Sequence, residues 1–466
     1  MLEAGDWDSQ RLAERLASGR FSTDEPIDDF RYEGHQPPLY YLLMAPPYRL
    51  AERLGSNARV VALRWVSIGL GLLVILVVYA AGRELAPQRG ELAPLAAGIV
   101  AFIPMHTAMT ATINNDTLAE LMASATLLAI LVGLRRGFGT PGVLAVGALG
   151  GGLLLTKLTV YAFAPLAFLA LGLEGAAPLG PGKPYRWGRA GRYVVLAALV
   201  TAALSGWWFL RNLSVYGWPD IFGLIRHDQV VVGQPRWGGI GDQLESVRFF
   251  LYSMFRSFWA QFGWMAVVVD PQQERPYWLF LLLTVLTVGG LVRFWRSELH
   301  TWPPAARLGL RFLLAGFGVV AGEVVLYNLS FVQAQGRYLY PAILPLGVLF
   351  ALGWSSAVLP PSPALAPNNG GKRASYSHFG WLGFSLGFYW LWGAGAEAVS
   401  WLLAQGPAPL ALHALTIGPT WLATKVQIRR SRQSLAGIAG AALLVVLALV
   451  DAAALLRFVV PYFQGW

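Results

Sequence analysis

The stretch VVALRWVSIGLGLLVILVVYAA, residues 60–81, decides the class of the protein. It holds 22 residues with a single charge, on Arg64. A run of about 20 apolar residues is long enough to cross the hydrocarbon core of a bilayer as an α-helix. The apolar residues do not alternate with polar ones, as they would in a strand of a membrane barrel. The stretch therefore predicts a membrane-spanning helix.

Runs of the same character recur along the 466-residue chain, in which 56% of the residues are hydrophobic and only 13% are charged. So few charges are rare in a soluble domain of this size. We predict an all-α polytopic membrane protein with about twelve transmembrane helices. Two of them are short, and we expect these to tilt or to form a tight hairpin around Thr156 and Lys157. The expected bounds are 60–81, 92–110, 117–134, 141–156, 158–173, 191–211, 277–295, 308–330, 337–357, 379–403, 408–424 and 435–459.

Lysine and arginine residues are concentrated in alternate loops between these helices. Such loops face the cytoplasm in most membrane proteins, so the formal net charge of +10 predicts orientation and not a nucleic-acid partner. The chain has no cysteine, which excludes thiolate chemistry and disulfides. Zinc-hydrolase, P-loop and serine-hydrolase motifs are also absent from the sequence. The segments expected on the outer face are 1–58, 114–116, 212–276 and 331–336.

The outer segments are predicted to carry helices that lie in the membrane interface. Residues 37–54 and 244–265 combine apolar residues with aromatic ones, which suits the headgroup region. Residues 9–19 are typical of a short amphipathic helix. We expect four parts: a first outer loop at 1–58, a transmembrane core at 59–357, a cytoplasmic linker at 358–376 and further transmembrane helices at 377–466.

Three polar residues, Asn114, Asn115 and Asp116, separate two predicted helices. Asn and Asp are common N-caps because their side chains accept hydrogen bonds from unpaired backbone N–H groups. Capping needs only one of them, and polar groups near a membrane span are costly. Capping and a functional role are therefore both kept, with Asn115 as a substrate contact and Asp116 as a contact to an acceptor or a metal.

Three cations lie near predicted outer helix ends: Lys157, Arg211 and Arg337. Lys157 could simply extend to the interface, and Arg211 follows an aromatic Gly-Trp-Trp string that suits membrane anchoring. Arginines on the outer side nevertheless go against the usual concentration of Lys and Arg in cytoplasmic loops. A guanidinium also matches the geometry of phosphate oxygens. We therefore predict an anion-binding site. The polar neighbours expected to contribute to it are Asn212, Tyr216, Gln335 and Tyr338.

The string EGHQPPLYYLL, at 33–43, joins the polar N-terminal segment to the first apolar run. A lone histidine before two prolines is more often a loop-fixing hydrogen-bonding group than a catalyst. We expect His35 and Gln36 to position this loop or to contact substrate, facing the Asn-Asn-Asp loop.

Six strings in this order resemble the GT-C class of integral-membrane glycosyltransferases. The resemblance is to its lipid-carrier-dependent group, which includes protein O-mannosyltransferases and lipid A aminoarabinose transferase, and to a less characterised bacterial branch. The strings are EGHQPPLYYLL, INNDTLA, LLLTKLT, GWWFLRNLSVYGWP, SFWAQFGWM and QGRYLYPAILP, within residues 33–346.

The resemblance implies a bundle with its active site on the outer face of the plasma membrane. It implies a sugar donor carried on a polyprenyl phosphate, transfer with inversion, and a carboxylate base in the first outer loop. Asp6 or Asp8 in GDWDSQ would be that base, although relatives carry an Asp-Glu pair there. It also implies a preceding first helix, which we expect to be missing from this chain.

The resemblance leaves several points open. The acceptor is a lipid, a glycan or a protein, and membrane lipids are the other expected partners. A divalent cation stays open as a cofactor. Two other functions are kept as alternatives, a transporter or flippase of a lipid-linked glycan and a structural membrane subunit without catalytic activity.

Overall fold

The computed structural model describes residues 34–180, 182–230, 243–263, 265–272, 274–358 and 435–454. Fourteen α-helices occur in these ranges. They are α1 (Leu39–Leu50), α2 (Ser56–Leu85), α3 (Leu92–Ala101), α4 (Pro104–Thr110), α5 (Asp116–Arg136), α6 (Thr140–Leu154), α7 (Phe163–Ala176), α8 (Trp187–Tyr216), α9 (Leu224–Val230), α10 (Gln243–Trp259), α11 (Arg275–Ser297), α12 (Pro304–Ser330), α13 (Ile343–Val358) and α14 (Leu435–Ala454).

Short elements complete the described part of the chain. Two strands, β1 (Gln261–Phe262) and β2 (Val267–Val268), pair antiparallel after α10. The 3₁₀ turns are Glu52–Leu54, Leu158–Val160, Leu299–Thr301 and Gly336–Ala342.

The helices confirm an all-α polytopic membrane protein. Within the described ranges, seven spans are long and apolar enough to cross a bilayer, and the bent pair α3–α4 would make an eighth. The count of twelve stays a prediction, because the expected helices 379–403 and 408–424 lie outside the described residues. The last expected helix, 435–459, is described as far as Ala454.

The predicted single helix 92–110 is wrong, because the structure breaks it into α3 and α4 with a bend of 69°. Pro104 opens α4, and the preceding Ile103 is extended with φ −76° and ψ 111°. Proline disfavours the helical conformation in the residue before it and cannot donate the next helical hydrogen bond. The Thr107 hydroxyl donates to the freed Ala101 carbonyl at 3.1 Å.

The region from 141 to 173 confirms the expected hairpin. α6 ends at Leu154, Lys157 is extended, and a 3₁₀ turn then leads into α7. The aromatic segment expected as one helix at 244–265 needs a correction, because α10 ends at Trp259 and β1 follows. Gly263, directly after β1, has a φ of +55°.

The helices pack closely around a core of aliphatic and aromatic side chains. The closest approach joins α11 to α13, where a Cβ on Gly290 would lie 1.8 Å from the Gly353 carbonyl oxygen. Small residues allow such contact between membrane helices. Trp259 of α10 is fully buried and stacks on Phe280 of α11 with ring centroids 4.5 Å apart. These contacts tie the outer loop elements to the core.

Those loops predicted to be cytoplasmic that the structure describes lie at one end of the bundle, which we call the arginine end. Ion pairs connect them across the sequence, and Arg293 of α11 donates to the Ser356 carbonyl of α13 at 2.8 Å. The pairs are Arg89–Glu298, Arg136–Glu84 and Arg189–Glu174. This grouping agrees with the alternation of loops expected from the sequence.

The first outer loop is described from residue 34 onward, so the expected helix at 9–19 lies outside the described residues. The segment 37–54 is helical as predicted. One face of α1 is buried through Tyr40 and Met44, whereas Tyr41 and Tyr48 are exposed. The four-part division of the chain stays a prediction.

Candidate active site

The end of the bundle opposite the arginine end, which we call the site end, is built around Asp116. This residue opens α5, and the Lys157 ammonium forms an ion pair with its carboxylate. Both side chains keep contact with the surface, at 33% and 22% exposure. The N-terminus of a helix favours a carboxylate over a carboxylic acid. The pair is therefore a partly open ionic site that an additional anion can reach.

The three polar residues at the start of α5 make different contacts. The Asn114 side-chain oxygen accepts from the Asp116 N–H at 2.9 Å. Asn115, at the N-cap position, makes no side-chain cap hydrogen bond, and its amide instead donates to the Gln36 side chain at 3.2 Å. Asn115 and Asp116 therefore make contacts between segments.

The His-Gln-Pro-Pro segment docks against this loop and the neighbouring turn. Besides the Gln36 contact, the Leu39 N–H donates to the Leu155 carbonyl at 2.8 Å, two residues before Lys157. His35 turns elsewhere, with its ring centroid 4.7 Å from that of His227 in α9. The structure thus brings Gln36 to the Asp116 cluster and places His35 beside the loop after α8.

Arg211 lies at the end of α8, next to the same segment. Its guanidinium donates to the Asn212 side chain at 2.9 Å and lies 4.9 Å from the Trp208 ring centroid. Longer contacts of 3.4 and 3.5 Å reach the Tyr216 hydroxyl and the Gly34 carbonyl. Arg211 therefore borders the segment that carries Gln36.

Asn212 and Tyr216 support the loop that follows α8. Asn212 is 1% exposed, and its amide also donates to the Ile221 carbonyl at 3.1 Å. Both polar groups of this side chain are therefore used inside the protein. Tyr216 lies beside Arg211, with its ring centroid 5.5 Å from the guanidinium carbon.

The Gly-Arg-Tyr-Leu-Tyr-Pro string forms a 3₁₀ turn that presents Arg337. Gly336 is required there, because a Cβ would lie 2.2 Å from the Phe258 backbone nitrogen of α10. The Gly336 N–H donates to the Ser257 hydroxyl at 2.7 Å. The Arg337 guanidinium contacts the Met109 sulfur at 3.7 Å. The turn therefore places a second cation at this end of the bundle, beside α5, which begins at Asp116.

The remaining predicted residues of this string shape the turn. The Tyr338 hydroxyl donates to the Gln333 side chain at 2.7 Å, and the Tyr338 ring centroid lies 5.5 Å from the Arg337 guanidinium carbon. The Gln335 carbonyl accepts from the Tyr338 N–H at 3.1 Å. Asp6 and Asp8 lie outside the described residues.

A buried pair of side chains lies directly beneath Asp116 and was not predicted from the sequence. His106 of α4 lies 2.9 Å from the Glu120 carboxylate, and these side chains are 0% and 1% exposed. Glu120 is one helical turn after Asp116, and the Tyr340 ring lies edge-on to His106 at 5.1 Å. The signal that could have identified this pair in the sequence was the presence of two polar residues, His106 and Glu120, inside otherwise apolar predicted helices. The pair connects the elements that carry Asp116 and Arg337.

A second missed cluster lies on α10. Arg256 pairs with Glu274 at 2.9 Å and lies 4.8 Å from the ring centroids of Tyr252 and Tyr277. These contacts hold Arg256 within the protein. Burial, with a hydrogen bond to the Glu274 carboxylate, raises the pKa of the Tyr252 hydroxyl. The cluster holds α10 against the start of α11.

Among the described residues, no group of three or more His, Cys, Asp or Glu side chains is arranged to hold a metal ion. The Asp116 carboxylate is instead matched by cations within this part of the chain. The divalent cation that the sequence left open has no assigned ligands in these ranges.

Residues 35–208 match the model of a protein family described as dolichyl-phosphate-mannose-protein mannosyltransferase. The matched region includes Gln36, Asn115, Asp116 and Lys157, and it ends shortly before Arg211. The match confirms the resemblance to the GT-C class over this part of the chain. No curated protein matches the chain significantly.

Two solved structures of ArnT from Cupriavidus metallidurans also match. The structure bound to undecaprenyl phosphate has 17% sequence identity and a TM-score of 0.49, and the alignment covers 95% of this chain and 70% of that one. The structure in the apo state has 19% identity and a TM-score of 0.44, with 92% and 71% of the two chains covered.

Proposed function

We propose that this protein is a membrane-embedded glycosyltransferase that moves a sugar from a polyprenyl-phosphate donor to an acceptor at the outer face of the plasma membrane. The family match over residues 35–208 supports transfer of a lipid-linked sugar. The observation that carries the proposal is the partly exposed Lys157–Asp116 ion pair at the start of α5, on which the 3₁₀ turn that carries Arg337 packs.

The cations are proposed to hold the donor phosphate. When the glycosidic bond breaks, the electron pair leaves with the phosphate oxygen and negative charge grows on the leaving group. Fixed cations in a partly dry site stabilise such developing charge. Lys157 pairs with Asp116, Arg337 lies on the 3₁₀ turn that packs on α5, and Arg211 borders the segment that carries Gln36. The Asp116 carboxylate would keep the Lys157 ammonium in place until the phosphate arrives.

The acceptor oxygen would attack the anomeric carbon from the face opposite the phosphate. One C–O bond forms while the other breaks, so a single displacement inverts that carbon. A carboxylate base takes the proton from the acceptor hydroxyl as the bond forms. Asp6 or Asp8 is proposed as this base, and Asp116 as an acceptor contact.

The remaining predicted residues are proposed to shape the sugar site. Gln36 and Asn115 hydrogen-bond to each other beside Asp116, so either amide could rotate toward a sugar hydroxyl. Tyr338 lies beside Arg337. His35, Asn212, Tyr216 and Gln335 would act by positioning the two loops. A divalent cation, if used, would require ligands in addition to Asp116.

The test combines donor binding with transfer. Native mass spectrometry measures binding of undecaprenyl phosphate to purified protein, and labelled undecaprenyl-phosphate sugars with a membrane extract as acceptor measure transfer. Arg337→Ala is expected to lose both activities while its thermal unfolding midpoint stays near that of the wild type. Arg248→Ala, at an exposed position of α10, is the matched control. Full transfer by Arg337→Ala would refute the phosphate assignment.

A lipid-linked glycan transporter remains the second candidate, because one observation favours it. Transporters use broken helices near buried charged groups, and the α3–α4 break lies beside His106 and Glu120. Against it, these two groups are paired with each other. Movement of an intact labelled lipid-linked sugar across a vesicle membrane, without transfer, would establish this alternative, and a structural subunit would show neither activity.

A further inference from the structure

A cavity of about 260 Å³ opens at the arginine end, far from the Asp116 cluster. It lies between the end of α11, the 3₁₀ turn Leu299–Thr301 and the first turns of α12. Its walls combine cationic and apolar side chains. Those used below are Trp295, His300, Arg307, Leu310, Arg311 and Leu314.

The two arginines of this cavity differ from the arginines that form ion pairs at the same end. Arg89, Arg136 and Arg189 each pair with a carboxylate. Within the described ranges, Arg307 and Arg311 have neither a carboxylate partner nor a hydrogen-bond acceptor. They are four residues apart on α12, so their side chains project from the same helical face. The cavity therefore carries two positive charges that no carboxylate among the described residues neutralises.

The apolar part of the wall indicates a lipid and not a small soluble anion. Leu310 and Leu314 of the membrane-spanning α12 line the cavity beside the cations, and Leu314 is half-buried. Trp295 is 46% exposed at the rim. Tryptophan side chains prefer the headgroup level of a bilayer. Cations, a tryptophan and aliphatic side chains in this order match a phosphate headgroup followed by an acyl chain.

We propose that this cavity binds the headgroup of an anionic phospholipid from the leaflet at the arginine end. Arg307 and Arg311 hold the phosphate, His300 borders the headgroup, and the lipid chain lies along Leu310 and Leu314. The bound lipid would neutralise both guanidinium groups and hold α12 against the end of α11. This site is separate from the proposed donor site and requires no chemistry there.

The experiment counts lipids on delipidated protein in detergent by native mass spectrometry. The probes are phosphatidylglycerol, phosphatidylcholine with the same acyl chains, and glycerol 1-phosphate. Wild-type protein is expected to retain phosphatidylglycerol over phosphatidylcholine and to bind glycerol 1-phosphate weakly. Each arginine near an anionic lipid contributes about 1 kcal/mol, so Arg307→Gln and Arg311→Gln should each weaken the tightest phosphatidylglycerol site about fivefold. The double variant should weaken it about thirtyfold on the same basis.

Arg296→Gln is the matched control, because Arg296 is exposed at the same end and does not line the cavity. It is expected to bind phosphatidylglycerol like the wild type. Equal affinity in the cavity variants and in this control would overturn the proposal. Glycerol 1-phosphate binding as tightly as the whole lipid would also overturn it, in favour of a soluble anion. The single variants remove one exposed or half-buried cation each, so they remain informative if the double variant does not fold.

Discussion

The ion pairs described at the two ends of the bundle have different surroundings. At the arginine end, Arg89, Arg136 and Arg189 each pair with a glutamate from another helix end, and these pairs hold helices together. At the site end, the Lys157–Asp116 pair lies between the start of α5 and the turn after α6, with side chains 22% and 33% exposed. The segment that carries Gln36 docks on both elements. The second arrangement leaves an ion pair that a charged ligand can reach.

Lys157→Ala should cause the largest loss of transfer among these variants. A small loss would contradict the comparison between the two ends. Removing one fixed donor from a site that stabilises developing negative charge typically costs about 10²–10³ in rate. We expect a loss of that size in transfer from the labelled donor, with Lys157→Arg retaining part of the activity. Transfer within twofold of the wild type in Lys157→Ala would place the ammonium outside the reaction.

Glu298→Ala tests the other end, where the expected loss is in stability and not in transfer. Arg89 and Glu298 are 8% and 7% exposed, so the change leaves a buried guanidinium without its carboxylate. Breaking a buried ion pair costs about 3 kcal/mol or more. Denaturation in detergent should show a lower midpoint, while transfer per folded molecule stays near the wild-type value. A rate loss as large as that of Lys157→Ala would contradict the division between the two ends.

Gly336→Ala sharpens the comparison by altering the support of Arg337 without altering a charge. The added methyl group would meet the Phe258 backbone nitrogen at 2.2 Å, so the turn must shift. Overpacking costs about 1–3 kcal/mol. Both the unfolding midpoint and the transfer rate should fall, because the displaced guanidinium no longer faces the cluster. Gly318→Ala is a control, since a Cβ there meets nothing within 4 Å.

Glu174→Gln should have the smallest effect. The Glu174–Arg189 pair joins the end of α7 to the start of α8, and its side chains are 17% and 20% exposed. Pairs with access to water contribute about 1 kcal/mol or less. The unfolding midpoint should fall slightly and less than in Glu298→Ala. An equal fall in both variants would show that burial does not set the strength of these pairs.

The sequence predicted the helices well where hydrophobicity alone decides the structure. α2, α5, α8 and α11 lie within a few residues of the expected ranges. The predicted helix 92–110 was wrong at Pro104, because the apolar residues on both sides of the proline are typical of one continuous span. A composition pattern records whether a segment is apolar, but not that its backbone turns by 69°.

The site was predicted as separate residues and not as an arrangement. Asp116, Lys157 and Arg337 each stood out because charges are rare near membrane spans. Their pairing depends on how α5, the turn after α6 and the 3₁₀ turn pack, which one sequence does not specify. The His106–Glu120 pair was missed for the same reason: each residue alone is a minor interruption, and only their separation of 2.9 Å makes them a unit.

The shortness of α6 has a consequence for the membrane itself. Its 15 residues rise about 22 Å, against about 30 Å for the hydrocarbon core, whereas the 30 residues of α8 beside it rise about 45 Å. Gly151 of α6 lies against Leu204 of α8, so α8 continues well past the end of α6 on the side of Lys157. Such hydrophobic mismatch is relieved by local thinning of the bilayer. In the proposed donor site, acyl-chain length would then set how far the phosphate must descend to meet Lys157.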